Sequence, residues 1–231
     1  MHTISRKGLI LYLVLEAVLL CLVEIGWSGI WADRIVQNFM YVAILLNAVI
    51  VAYHFFRPDI RTRHDPEDMI AYAIFGTAAA DFFMTFIGPS AFIPGVILFC
   101  VVQVIYGMYL DPAWKWLPVR VIFFALSLIG MMLGGILNLK SVLGILDIIL
   151  LIVNVAFTWI VARKKTSLLF KIGITLFLCC DVSITIRTMT TGNIHLVVQY
   201  LVWLFYIPSQ VALTLSYVRE SGKVMSMVEA S

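Results

Sequence analysis

"LFLCCDVSITI", residues 176–186, carries one carboxyl group, Asp181, through an otherwise lipid-soluble run. A charged side chain at the centre of a bilayer costs from about 2.5 kcal/mol upward, so an acid in such a place calls for a partner, for water or for a chemical use. The apolar run around it reaches from about 168 to 187. At about 1.5 Å of rise per helical residue, that length covers a hydrocarbon layer about 30 Å thick. The same reading applies along the chain. Apolar runs of spanning length lie at about 8–27, 36–56, 69–88, 91–110, 117–137, 141–162, 168–187 and 194–218. They are about twice the length of a barrel strand and do not alternate polar with apolar residues, which excludes a β-barrel.

Composition agrees. Of 231 residues, 62% are hydrophobic and 13% charged, and the mean hydropathy of +1.03 lies far above that of a soluble domain with a single core. The expectation is an all-α polytopic membrane protein, one transmembrane domain over 1–231 with eight spans. Short polar connections, "RPDIRTRHDPED" (57–68), "GPS" (88–90), "DPAWKWLP" (111–118) and "TGN" (191–193), separate the runs. The basic residues divide unevenly between the two ends. Arg6, Lys7, Arg57, Arg61, Arg63, Lys115, Arg120, Arg163, Lys164, Lys165, Lys171, Arg219 and Lys223 fall on one side, against Arg34, Lys140 and Arg187 on the other. By the positive-inside rule both termini are cytoplasmic. The net charge of +3 is thus spread over short loops and is no footprint of nucleic-acid binding.

"SRKG" precedes the first run, whose apolar stretch is longer than a signal peptide's and is followed by no small-x-small cleavage site; it reads as an anchor. Cys21, Cys100, Cys179 and Cys180 all fall within spans and read as unpaired packing residues. His2, His54, His64 and His195 show no HxxxH spacing, and no CxxC occurs, so neither a metal nor another cofactor is expected.

Residues three, four and seven apart share a helix face. Polar stripes of that spacing are Glu16 and Glu24; Asn47 and His54; Asp147, Asn154 and Thr158; and Gln199, Trp203, Tyr206, Gln210, Thr214 and Tyr217. Such groups turn toward a bundle interior, mostly as helix–helix adhesion. Glu24 reads as reaching the interface, whereas Glu16 and Asp147 stand level between structural and functional roles. Asp81, in "GTAAADFFMTFIG" (76–88), is the counterpart of Asp181: each lies about thirteen residues into an outward-running span, at one shared depth. Each is also followed 25 positions later by a tyrosine, Tyr106 or Tyr206, which fits a parallel 4+4 duplication of a four-helix unit.

At these residues the sequence resembles the YhhN family of eight-span membrane proteins, whose characterised members are lysoplasmalogenases. "AADFFMTFIGPSAFIPGVILFCVVQVIYGMYL" (79–110) resembles the family's Gly-Asp span and the Gly-x-x-x-Phe-x-x-x-His-x-x-Tyr span after it, through Asp81, Gly95, Phe99 and Tyr106. "GITLFLCCDVSITI" (173–186) matches the Phe-x-x-Ser-Asp span at Phe177 and Asp181, and "YIPSQVALTLS" (206–216) the terminal Tyr-x-x-x-Gln-x-x-x-x-x-Ser pattern. The family's histidine is Gln103 here, its first Gly-Asp is Ala80-Asp81, and the Lys-Pro that opens its second span is missing from "QNFMYVAILLN" (37–47). These departures mark a divergent member.

The resemblance implies hydrolysis of the vinyl ether bond of a lysoplasmalogen, releasing a fatty aldehyde. That reaction needs an acid to protonate the alkenyl carbon and a carboxylate to stabilise the cation or position water, as in glycoside hydrolysis. Asp81 and Asp181 are the candidates, with Gln103, Tyr106, Tyr206 and Gln210 orienting water or holding the lysophospholipid. Gln103 cannot carry a proton, which keeps a non-catalytic lipid-binding protein as the alternative. A proton-coupled carrier is the third reading, suggested by buried acids in a duplicated bundle.

Overall fold

A computed structural model describes residues 6–27, 31, 33–56, 66–87, 91–135, 138–162 and 166–228 of the chain, without the side chains of Arg6, Met189 and 221–228. Among these residues the secondary structure is entirely helical. In order come α1 (Arg6–Ile25), α2 (Asp33–Phe55), α3 (Asp68–Phe82), α4 (Phe92–Leu110), α5 (Leu117–Leu133), α6 (Leu139–Ile160), α7 (Leu168–Met189) and α8 (Gly192–Val228). One π-helical turn, Phe83–Ile87, prolongs α3. Seven of the eight are long and apolar enough to cross a membrane, the architecture of a multi-pass membrane protein. The basic residues Arg57, Arg61, Arg63, Arg163, Lys164 and Lys165, on which orientation largely rests, lie outside the described residues, as do His2 and His64.

The exception is α5. A run over 117–137 is expected, but the helix stops at Leu133 after 17 residues. Gly134 and Gly135 follow it, and Gly135 takes the left-handed conformation (φ 67°) that ends helices because no Cβ penalises it. Elsewhere the caps and turns follow the chemistry of the connections. Asn138 caps α6 by accepting from the Ser141 N–H (3.0 Å), and Ser167 caps α7 by accepting from the Phe170 N–H (3.2 Å). Gly192, at φ 66°, turns α7 into α8.

The core lies where α3, α4, α7 and α8 meet, around Ile70, Ile74, Val102, Phe170, Phe177, Leu213 and Tyr217. Small residues bring these helices close. A Cβ on Gly173 of α7 would lie 2.7 Å from Leu213 Cγ and 3.1 Å from the Leu213 backbone nitrogen of α8. Gly173→Val is therefore expected to cost about 1–3 kcal/mol by overpacking against backbone that cannot retreat. In detergent this should lower the unfolding midpoint by several degrees, whereas Gly130→Ala, with open space at its Cβ, should leave it unchanged or higher. The outward faces carry large apolar side chains such as Leu11, Val49, Leu126 and Leu133. Those faces suit acyl chains and would be a liability in water.

Every member of the polar stripes except Glu24 is buried. Most are adhesive. Asn47 of α2 accepts from Tyr12 Oη (2.6 Å) and donates to Glu16 Oε1 (2.7 Å), tying α2 to α1. Asn154 of α6 donates to the Gln103 carbonyl of α4 (2.8 Å) and accepts from Arg120 Nη2 of α5 (2.9 Å). That guanidinium lies over the Trp114 ring (5.1 Å) and against the bare surface of Gly107, where a Cβ would come within 2.9 Å of Nη1.

Candidate functional site

The helices that end and begin at one end of the bundle line a partly open cavity of about 370 Å3. Its wall takes Trp27 just past α1, Gln37 and Met40 from the first turns of α2, Asp81 and Met84 at the close of α3, Phe92 and Phe99 from α4, and Asp147 from α6. The last turns of α7 supply Asp181 and Arg187, and the first half of α8 supplies Gln199, Trp203 and Tyr206. The volume suits a small molecule or one end of a lipid, and the wall is mainly apolar with a few convergent polar groups, as ligand sites are.

Three carboxyls reach this space from three helices. Asp81 and Asp181 each lie thirteen residues past the first residue of their helices, Asp68 and Leu168, and Asp147 lies thirteen before the last residue of α6, Ile160. Because α7 follows α6 in the chain and runs antiparallel to it, the three sit at one level, about 20 Å from the far end. The shared depth read for Asp81 and Asp181 thus includes a third acid.

Their partners differ. The Tyr206 hydroxyl donates to Asp81 Oδ2. Asp147 of α6 and Asp181 of α7 lie close enough to interact with each other. One oxygen of each, Asp147 Oδ1 and Asp181 Oδ2, is buried with no protein partner. Two backbone features hold Asp81 in place. The π-helical turn Phe83–Ile87 begins two residues later, a distortion frequent at functional sites. Gly95 of α4 lets that helix lie on the distortion, since a Cβ there would overlap Met84 Cγ and come within 3.2 Å of the Ala80 carbonyl oxygen.

Of the four residues expected to bind substrate, Tyr206 lines the cavity, and Gln103, Tyr106 and Gln210 do not. Gln103 and Tyr106 sit in the second half of α4, and Gln210 at the middle of α8, all farther from the cavity end of the bundle than the acids. Gln103 is fully buried in the contact of α4 with α6, and the ring of Tyr106 packs on Phe170. The spacing of 25 residues does not carry equivalent contacts either. Asp81 pairs with Tyr206, Asp181 lies against Asp147, and Tyr106 Oη is buried without a hydrogen-bond partner.

Arg187 and Gln199 are the site residues that sequence reasoning did not single out. Arg187 counted only as a charge for orientation, and Gln199 only as part of a stripe. Among the described residues no group of three or more His, Cys, Asp or Glu is arranged to hold a metal ion. The cysteines are free, and Cys180 lies on the cavity wall beside Asp181.

No protein-family model, curated protein or solved structure matches the chain.

Proposed function

We propose that the chain is an intramembrane hydrolase of the lysoplasmalogenase type, cleaving the vinyl ether bond of a single-chain phospholipid. The observation that carries this reading is the convergence of Asp81, Asp147 and Asp181 on one apolar-walled cavity. An oxocarbenium-forming hydrolysis needs an acid and a carboxylate in the same low-dielectric space. In this reading the acid is one carboxyl of the neighbouring Asp147 and Asp181, which delivers its proton to the alkenyl carbon. Asp81, anchored by Tyr206, stabilises the resulting cation and directs water onto the carbon bearing the ether oxygen. A carboxylate of the pair takes a proton from the added water to give the neutral hemiacetal, which collapses to aldehyde and glycerophospho-alcohol as its hydroxyl proton passes to a carboxylate and the departing glycerol oxygen takes a proton from a carboxyl. Gln103 lies away from the cavity, so the glutamine standing at the family's histidine position leaves the carboxyl chemistry intact.

The topology proposed with it has eight spans and cytoplasmic termini, so that the cavity lies toward the outer leaflet. At 17 residues, α5 is at the short end of spanning length, near 17–25 residues. The test is aldehyde release from a lysoplasmalogen by purified chain, with Asp81→Asn and Asp181→Asn beside it. Release by wild type that both substitutions abolish supports the reading. No release by wild type, under conditions where the chain is folded, overturns it.

A further inference from the structure

Above the carboxyl level the cavity changes character. Among the described residues that line it, Arg187 is the single Lys, Arg or His. It occupies the last turn of α7, six residues beyond Asp181, a rise of about 9 Å along the axis. An arginine at that place favours the negative end of the helix dipole, and on those grounds alone it would extend into solvent or headgroups. Instead it is half-buried on the cavity wall, and its Nη1 donates to Gln199 Oε1. That partner is neutral, and among the described residues no carboxylate pairs with Arg187.

The bond also fixes the amide of Gln199. A guanidinium can only donate, so the oxygen must face Arg187 and the Nε2 donor must face elsewhere. That Nε2 has no partner, although Gln199 is only 7% exposed. One turn along α8, Trp203 is 8% exposed, and its indole Nε1–H is likewise unpartnered. Both residues line the cavity. Buried donors without acceptors are costly, and here two of them share a wall with an unpaired cation.

We propose that Arg187, Gln199 and Trp203 form a subsite for the phosphate of a single-chain phospholipid. The proposal rests on the reading of this cavity as a lipid site, and it holds whether or not a bond is cleaved there. A phosphate offers the acceptors that the orphan donors lack and the charge that Arg187 lacks, and arginine binds its oxygens in a two-pronged fork. The separation along α7 keeps that anion away from the acid level. It also matches the arrangement of a glycerol unit with phosphate at one end and the ether oxygen at the other. The alkyl chain then runs along Met84, Val96 and Phe99.

The experiment follows tryptophan fluorescence of the purified full chain, since Trp27 and Trp203 lie on the wall. The probes are an ester-linked lysophosphatidylcholine, which has no vinyl ether to cleave, the monoacylglycerol of the same chain length, and inorganic phosphate. Wild type should bind the lysophospholipid at least about tenfold more tightly than the monoacylglycerol, a gap of about 1.4 kcal/mol. Arg187→Gln should erase that preference while leaving monoacylglycerol binding unchanged, which also shows that the variant is folded; Arg187→Lys should keep part of it. Equal affinities in wild type, or a preference that survives Arg187→Gln, would overturn the proposal. So would inorganic phosphate binding as tightly as the lysophospholipid, which would assign the site to free phosphate. A chain that shows the preference but releases no aldehyde fails as a hydrolase and keeps the subsite. A chain that releases aldehyde without the preference does the reverse.

Discussion

Asp181→Asn is expected to lower aldehyde release by about 10²–10⁴-fold, the range that a positioned general acid contributes. The amide keeps the size of the side chain and fills the same space, so folding and lipid binding should change little. What it removes is a carboxyl that can give up and take back a proton, so the acid proposed for this pair is lost. Asp147→Asn is expected to fall in the same range for the same reason. Because the two carboxyls act as one unit, the double substitution should be little worse than either single one, far short of the product of the two losses. Rates of the three variants in one assay check this. Multiplicative losses would mean that the acids act separately and that their contact is incidental. Asp147→Asn retaining wild-type activity would return that residue to a structural role.

The second large effect concerns stability. Asn154→Leu is expected to cost about 2–4 kcal/mol, because it strips the buried Arg120 guanidinium of its acceptor and the Gln103 carbonyl of a donor. Arg120 is only 3% exposed, and its Nε and Nη1 already lack partners, so little else is placed to absorb the loss. Replacing both members by apolar residues removes the orphan as well as the bond. Arg120→Met combined with Asn154→Leu should therefore unfold at a higher temperature than Asn154→Leu alone. Thermal unfolding in a single detergent decides it, and a double variant less stable than the single one would show that Arg120 contributes through Trp114 and Gly107 instead.

Much of this arrangement is legible in the sequence, and the reasons are physical. A bilayer forces polar side chains inward, and a helix repeats its face every three to four residues, so the stripes through Asn47, Asn154 and Tyr217 already mark buried faces. Counting residues from a span's start also gives depth, which is why Asp81 and Asp181 share a level. Counting does not give neighbours. Asp147 reaches the same level from an antiparallel helix, where the count runs from the other end. Tyr106 and Gln210 are singled out by the resemblance, and Gln103 as a departure from it, but all three lie along their helices toward the end remote from the cavity. The end of α5 is not legible from hydropathy, which continues past Gly134 and Gly135 while the backbone turns there. Arg187 went unnoticed because a charge at a span end is ordinarily a topological anchor; only its bond to Gln199 shows that it faces the cavity.

The most direct measurement is cross-linking of cysteines placed at the three acid positions, in a chain whose Cys21, Cys100, Cys179 and Cys180 are replaced by alanine. Asp147→Cys with Asp181→Cys, and Asp81→Cys with Asp181→Cys, should each be joined by a short linker carrying two thiol-reactive groups, and each single cysteine should react with a water-soluble thiol reagent. Failure of both pairs to join, with the single cysteines inert in folded protein, would contradict a common water-accessible cavity and with it the chemistry assigned to these residues.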